Sequence, residues 1–191
     1  MKNKIILTVI LALTIISCKA QHIIPVKDGY KYVATEKGFM GDYDYVYIKD
    51  VNNTLSKFIG TWKGTYQSEN FEFRITKTTT DDGELKEDLL LMRYKITDSK
   101  GVIIEDTLIL PNDDTYVMQS GYVSKTGAYV FNYIGRNLAC GQNGSVFSGV
   151  YGVNNDKMNL FLQVKGEMYP ECTTGEAIQV LPLEQMELLK Q

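Results

Sequence analysis

Histidine is almost missing from this chain: there is one, His22, close to the N-terminus. Nucleophilic mechanisms of the Ser-His-Asp or Cys-His kind need an imidazole held in a fixed position, and a histidine in a tether cannot supply it. Cysteine is scarce as well, and the two cysteines beyond residue 100 cannot build the usual zinc site with one histidine. Positive charge does not dominate. The 20 Lys and Arg face 23 Asp and Glu, a net of −3, which leaves no electrostatic footprint for nucleic acid. No run reaches the roughly 20 apolar residues of a membrane-spanning helix. No glycine-rich loop follows a strand and opens a helix, so the 16 glycines read as turns, bulges and bends.

Carboxylates are plentiful but poorly placed for chemistry. Asp81-Asp82 and Asp113-Asp114 sit in turn signals, where Asp is favoured for backbone hydrogen bonding. Glu105 and Asp106 are strand neighbours and point to opposite faces. Asp81-Asp82-Gly83-Glu84 and Asn154-Asn155-Asp156 offer oxygen ligands, but neither has the spacing of an EF-hand loop. A non-enzymatic protein without a metal or cofactor is the expectation.

The N-terminus carries an address. Lys2 and Lys4 precede an apolar run over 5–16, followed by Ser17-Cys18-Lys19-Ala20, the layout of a secretory signal. Ile15-Ile16-Ser17-Cys18 resembles the bacterial lipobox, which implies cleavage before Cys18, its lipidation and anchoring on the outer membrane. The alternative is cleavage after Ala20, giving a periplasmic or secreted protein. Either cut leaves Cys140 and Cys172, and outside the cytoplasm such a pair is expected to be oxidised.

Three segments follow: a signal peptide over 1–17 (or 1–20), a tether and tyrosine-rich arm over 18–53, and a β-domain over 54–191. The arm contains the alternation Tyr43-Asp44-Tyr45-Val46-Tyr47-Ile48, expected as an edge strand. From Phe58 onward apolar alternation marks strands at 61–67, 71–78, 88–97, 102–110, 115–123, 128–134, 146–153, 158–165, 177–181 and 186–190. The punctuation between them is turn chemistry, such as Asp81-Asp82-Gly83 and Asn143-Gly144. Strand starts every 12–15 residues or so suit hairpins and leave no room for crossover helices. The fold class is therefore all-β, an antiparallel up-and-down meander of about eight to ten strands. Its edges must be hidden by closing a barrel or stacking two sheets.

The single tryptophan lies in Phe58-Ile59-Gly60-Thr61-Trp62-Lys63-Gly64. This stretch resembles the opening of the calycin superfamily, the lipocalins and fatty-acid-binding proteins, whose first strand begins Gly-x-Trp after a short helical turn. The resemblance implies that residues 53–57 form that turn with Asn53 or Thr54 as N-cap, that Trp62 closes the barrel floor, and that Gly60 gives backbone clearance. The family's Thr-Asp-x-Tyr motif has no match at Thr97-Asp98-Ser99-Lys100. Its tryptophan-stacking arginine has no match either, and Lys190 would stand in as a point charge. The whole layout is also similar to small secreted proteins and lipoproteins of Bacteroidota-type bacteria that carry domains of unknown function.

A calycin-like barrel implies a small apolar or amphipathic ligand in its mouth, with Phe73, Met92, Tyr94 and Leu108 as candidate lining residues. The alternative is a filled β-domain whose tyrosines meet an envelope protein, since Tyr is favoured at interfaces. Interior volume separates the two.

Overall fold

The computed structural model describes residues 22–33 and 35–191. Side-chain alternation and turn residues produce eleven strands: β1 (His22–Pro25), β2 (Val46–Lys49), β3 (Gly60–Tyr66), β4 (Glu69–Asp81), β5 (Leu85–Thr97), β6 (Ile103–Asp106), β7 (Gln119–Val123), β8 (Tyr129–Ile134), β9 (Asn143–Tyr151), β10 (Lys157–Val164) and β11 (Met186–Lys190). Among the described residues, helix is confined to two 3-10 turns, Val26–Lys31 and Thr54–Phe58. The protein is all-β, as its periodicity implies.

Three expected strands shrink or vanish. β6 stops at Asp106 because the next residue turns its hydroxyl on the ladder. Thr107 Oγ1 accepts from Tyr94 N (2.7 Å) and donates to Tyr94 O (3.0 Å). Residues 115–117 form turns after Asp114, whose carboxylate accepts from Tyr116 N. Residues 177–181 form no strand, because their backbone bonds to loops and side chains. Ala177 N donates to Cys140 O (2.8 Å), and Gln142 Nε2 donates to Ile178 O (2.9 Å).

The strands form one sheet in the order β1-β2-β5-β4-β3-β11-β10-β9-β8-β7, with β6 beside β5. Hairpin pairs from β3 to β5 and from β7 to β11 are antiparallel, but β1–β2 and β2–β5 are parallel, so the sheet is mixed. Neither a closed barrel nor a two-sheet sandwich forms. The sheet is an open path that curls until Met118, just before β7, exchanges two backbone hydrogen bonds with Met92 of β5 (2.9 and 3.0 Å). No ladder closes there because the free edge of β5 is divided. β2 takes Leu85 to Glu87, the single bridge takes Met92, and β6 takes Lys95 to Thr97. Between the first two, Leu90 N donates to the Tyr129 hydroxyl (3.2 Å). On the β7 side a bulge with Ser120 at φ 55° breaks the pairing with β8. Gly121 is required next to it, since a Cβ there would lie 2.0 Å from Val130 O.

The N-terminal arm belongs to the same core. From His22 onward it is folded rather than a tether, and Ile24, Val26, Val46 and Ile48 are buried with the residues of β3, β4 and β5. β2 lies between β1 and β5, so its tyrosines do not line an edge. Val46 and Ile48 face inward. Tyr45 and Tyr47 face the other way and donate to Asp81 and Asp88.

Candidate functional site

The end of the sheet near Trp62 is sealed. Trp62 is completely buried, and its indole N–H donates to Phe58 O (2.7 Å), tying β3 to the 3-10 turn Thr54–Phe58. Leu55 and Phe58 of that turn are also fully buried. The Lys190 ammonium lies 5.0 Å from the Trp62 ring centroid. Gly60, at φ 135°, does provide clearance, but for a side chain rather than a backbone: a Cβ there would meet Lys190 Cε at 3.0 Å.

The turn is capped by a residue that sequence reasoning missed. Asn53 occupies the N-cap position in a left-handed conformation and makes no side-chain cap bond. Asp50, whose side chain is fully buried, instead accepts from Thr54 N (2.6 Å) and Leu55 N (3.3 Å). Its carboxylate also pairs with Lys77 of β4 (2.9 Å). Asp88 completes the cluster, accepting from Asp50 N, Thr79 Oγ1 and the Tyr47 hydroxyl. Burial alone would raise the Asp88 pKa, but these donors and Lys77 outweigh it and hold the carboxyl below its ordinary range. The cluster fastens arm, turn and sheet together.

Elsewhere in the core, Tyr94 and Tyr133 bury their hydroxyls without closing a hydrogen bond of standard geometry. Burial, then the neighbouring tyrosine and Glu105, drives the Tyr94 pKa far up; burial and Glu105 do the same to Tyr133. Glu105 is itself almost buried and pairs with Arg136 (3.3 Å), whose guanidinium stacks 3.7 Å above the Tyr116 ring. Asp106 points the other way, toward Lys95 (3.8 Å), as expected for strand neighbours. These tyrosines stay neutral at any physiological pH and have no base beside them except a carboxylate already paired with arginine.

The expected ligand-lining residues are placed in the core or in a turn. Phe73, Met92 and Tyr94 are completely buried and packed in the core, and Leu108 lies half-buried in the turn after β6. Several clefts open on the outer surface, and one of them lies at the seam. A cleft of about 290 Å³ opens between the arm, β5 and β7, walled by Tyr32, Phe39, Leu85, Gly121 and Tyr122, with Glu87 among them. Glu87 is partly buried, and burial followed by the charge of Asp82 raises its pKa. Its only flag in the sequence is weak, an acidic pair leading the apolar run Leu89-Leu90-Leu91.

A model for a family of unknown function, DUF6705, matches residues 1–174. The chain belongs to that family. Neither a curated protein nor a solved structure matches it. For DUF6705 the matched span takes in the strands from β1 to β10, with the seam cleft and the floor apart from Lys190, and it brings no activity with it.

Within this DUF6705 chain the remaining predicted positions are placed as follows. Cys140 and Cys172 form a disulfide with Cα atoms 4.9 Å apart. Cys18 and the signal segment lie outside the described residues. His22 stacks on Tyr43, 3.7 Å between centroids, away from any nucleophile or catalytic pair. The Asp81-Asp82 region is a turn: Asp82 Oδ1 accepts from Glu84 N and Leu85 N. No group of three metal-ligating side chains occurs among the described residues.

Proposed function

We propose that this protein is a non-catalytic β-domain of the cell envelope, exported and anchored through a lipidated Cys18, that works through its outer surface and holds no ligand inside. One observation carries the reading. The positions that would line an interior site, Phe73, Met92 and Tyr94, are packed among Trp62, Tyr129 and Phe131 with no exposure above about one per cent. A ligand-carrying barrel keeps an interior volume of roughly 300 Å³ or more; a core filled with aromatic rings supports an interaction role. The Cys140–Cys172 disulfide supports a location outside the cytoplasm, where such bonds persist. The sealed Trp62 floor supports likeness to calycins at that end only.

Native mass spectrometry of the full-length protein, purified from membranes in a non-ionic detergent, tests the interior. A mass equal to the processed chain is expected, and a stoichiometric co-purified lipid would overturn the reading. Anchoring is tested by Cys18→Ala, which should release the protein from the membrane fraction. A protein that stays in the membrane fraction with unchanged processing would overturn the lipid anchor.

A further inference from the structure

The seam cleft contains a carboxylate that lacks what its neighbours have. Asp50 and Asp88 share Lys77, Glu72 is held by Lys63 (3.2 Å) and Arg74 (2.7 Å), and Glu105 has Arg136. Among the described residues no hydrogen bond or ion pair engages the Glu87 carboxylate. A partly buried anion without a partner is costly, and the cost falls when a cation arrives. The walls suit a particular kind of cation. Tyr32 and Phe39 present rings 6.0 Å apart and tilted by 34°, and Tyr122 lines the same space. Aromatic faces attract positive charge through the ring quadrupole, most effectively where water is excluded. Leu85 and Gly121 add apolar or bare-backbone surface, which an ordinary hydrated metal ion would not use. At about 290 Å³ the cleft stands at the small edge of ligand sites.

From this combination of a lone carboxylate, three aromatic rings and a small volume, we infer that the cleft binds a small alkylated ammonium compound. The nitrogen lies beside Glu87 and the alkyl groups lie against Tyr32, Phe39 and Tyr122. The inference rests on the reading that recognition occurs on the outer surface.

Isothermal titration of the full-length chain in a non-ionic detergent tests it, with choline and its uncharged isostere 3,3-dimethyl-1-butanol as probes. Choline is expected to bind about tenfold more tightly than the alcohol. Glu87→Gln should remove that advantage and leave the alcohol unchanged, and Tyr122→Leu should weaken choline several-fold. Far-UV circular dichroism verifies that both variants are folded. Equal binding of the two probes, choline affinity unaltered by Glu87→Gln, or no choline binding overturns the inference. Trp62 fluorescence recorded in the same titration separates this failure from the other. A probe that changes Trp62 emission has entered the core and overturns the filled-interior reading, whereas absence of binding with Trp62 unchanged removes only the ammonium site.

Discussion

Lys190 lies over the Trp62 ring and donates its ammonium proton to Lys57 O (3.2 Å), so the last strand, the first long strand and the 3-10 turn meet on one side chain. Gly60 faces the same lysine stem, and the close approach sets up a coupled pair. Gly60→Ala is expected to destabilise by about 2 kcal/mol, part from the contact and part from a φ that favours glycine. Lys190→Met keeps most of the stem and should cost about 1 kcal/mol for the lost cation–ring contact. In the double variant Gly60→Ala/Lys190→Ala the contact part should vanish and the backbone part persist. Chemical denaturation of the wild type, Gly60→Ala, Lys190→Ala and the double variant measures this, and strict additivity would show that the two residues do not interact.

Asp50 caps the turn and neutralises Lys77 from a fully buried position. Asp50→Ala should therefore cost about 2–3 kcal/mol, combining a lost cap with a lysine left to the more distant Asp88 alone. Adding Lys77→Met should recover part of that loss. Urea midpoints followed by Trp62 fluorescence test the pair. A loss below about 0.5 kcal/mol, the size of an exposed ion pair, would show that the cluster does not fasten the turn.

Glu87 and Asp88, adjacent on β5, should respond to pH with opposite signs. Burial and Asp82 raise the Glu87 pKa; Tyr129, in turn, has its own pKa raised mainly by burial, with Glu87 a smaller cause. The folded protein then binds that proton more tightly than the unfolded chain, so this group costs stability as pH rises above the ordinary glutamate value. Asp88 is depressed, so its contribution is present above the ordinary aspartate value and is lost as pH falls through the folded one. Glu87→Gln should accordingly raise the urea midpoint near pH 7, with the gain gone below about pH 4. Asp88→Asn should lower it near pH 7, with the deficit narrowing in acid. A Glu87→Gln gain that is constant from pH 3 to 8 would contradict the raised pKa.

The Cys140–Cys172 bond closes a loop of 32 residues across a region whose last part carries no strand. On the chain-entropy model Cys172→Ser should cost about 3–4 kcal/mol. The loosened segment is 165–185, held otherwise by contacts such as Tyr169 N to Ala139 O and Gln142 Nε2 to Ile178 O. Limited proteolysis should cut there first in the reduced protein, and an unchanged cleavage pattern would show that the local bonds suffice.

What could be read from residues alone was whatever local chemistry controls. Alternation such as Phe71, Phe73 and Ile75 against Glu72 and Arg74 specifies a strand and its buried face, and Asp82-Gly83 specifies its turn. The inward Trp62 followed from the same alternation, and the Cys140–Cys172 link from cysteine arithmetic. Three-dimensional packing decided the rest. Whether the sheet closes depends on who occupies the free edge of β5: β6 follows it in the chain, but β2 and Met118 come to that edge from distant parts of the sequence. Asp50 caps a turn that follows it directly, but its ties to Lys77 and Asp88, and the lone charge of Glu87 beside aromatic rings, exist only because the arm folds back across β4 and β5. No periodicity of two encodes those meetings, because register and curl are settled by the sum of all side chains buried together.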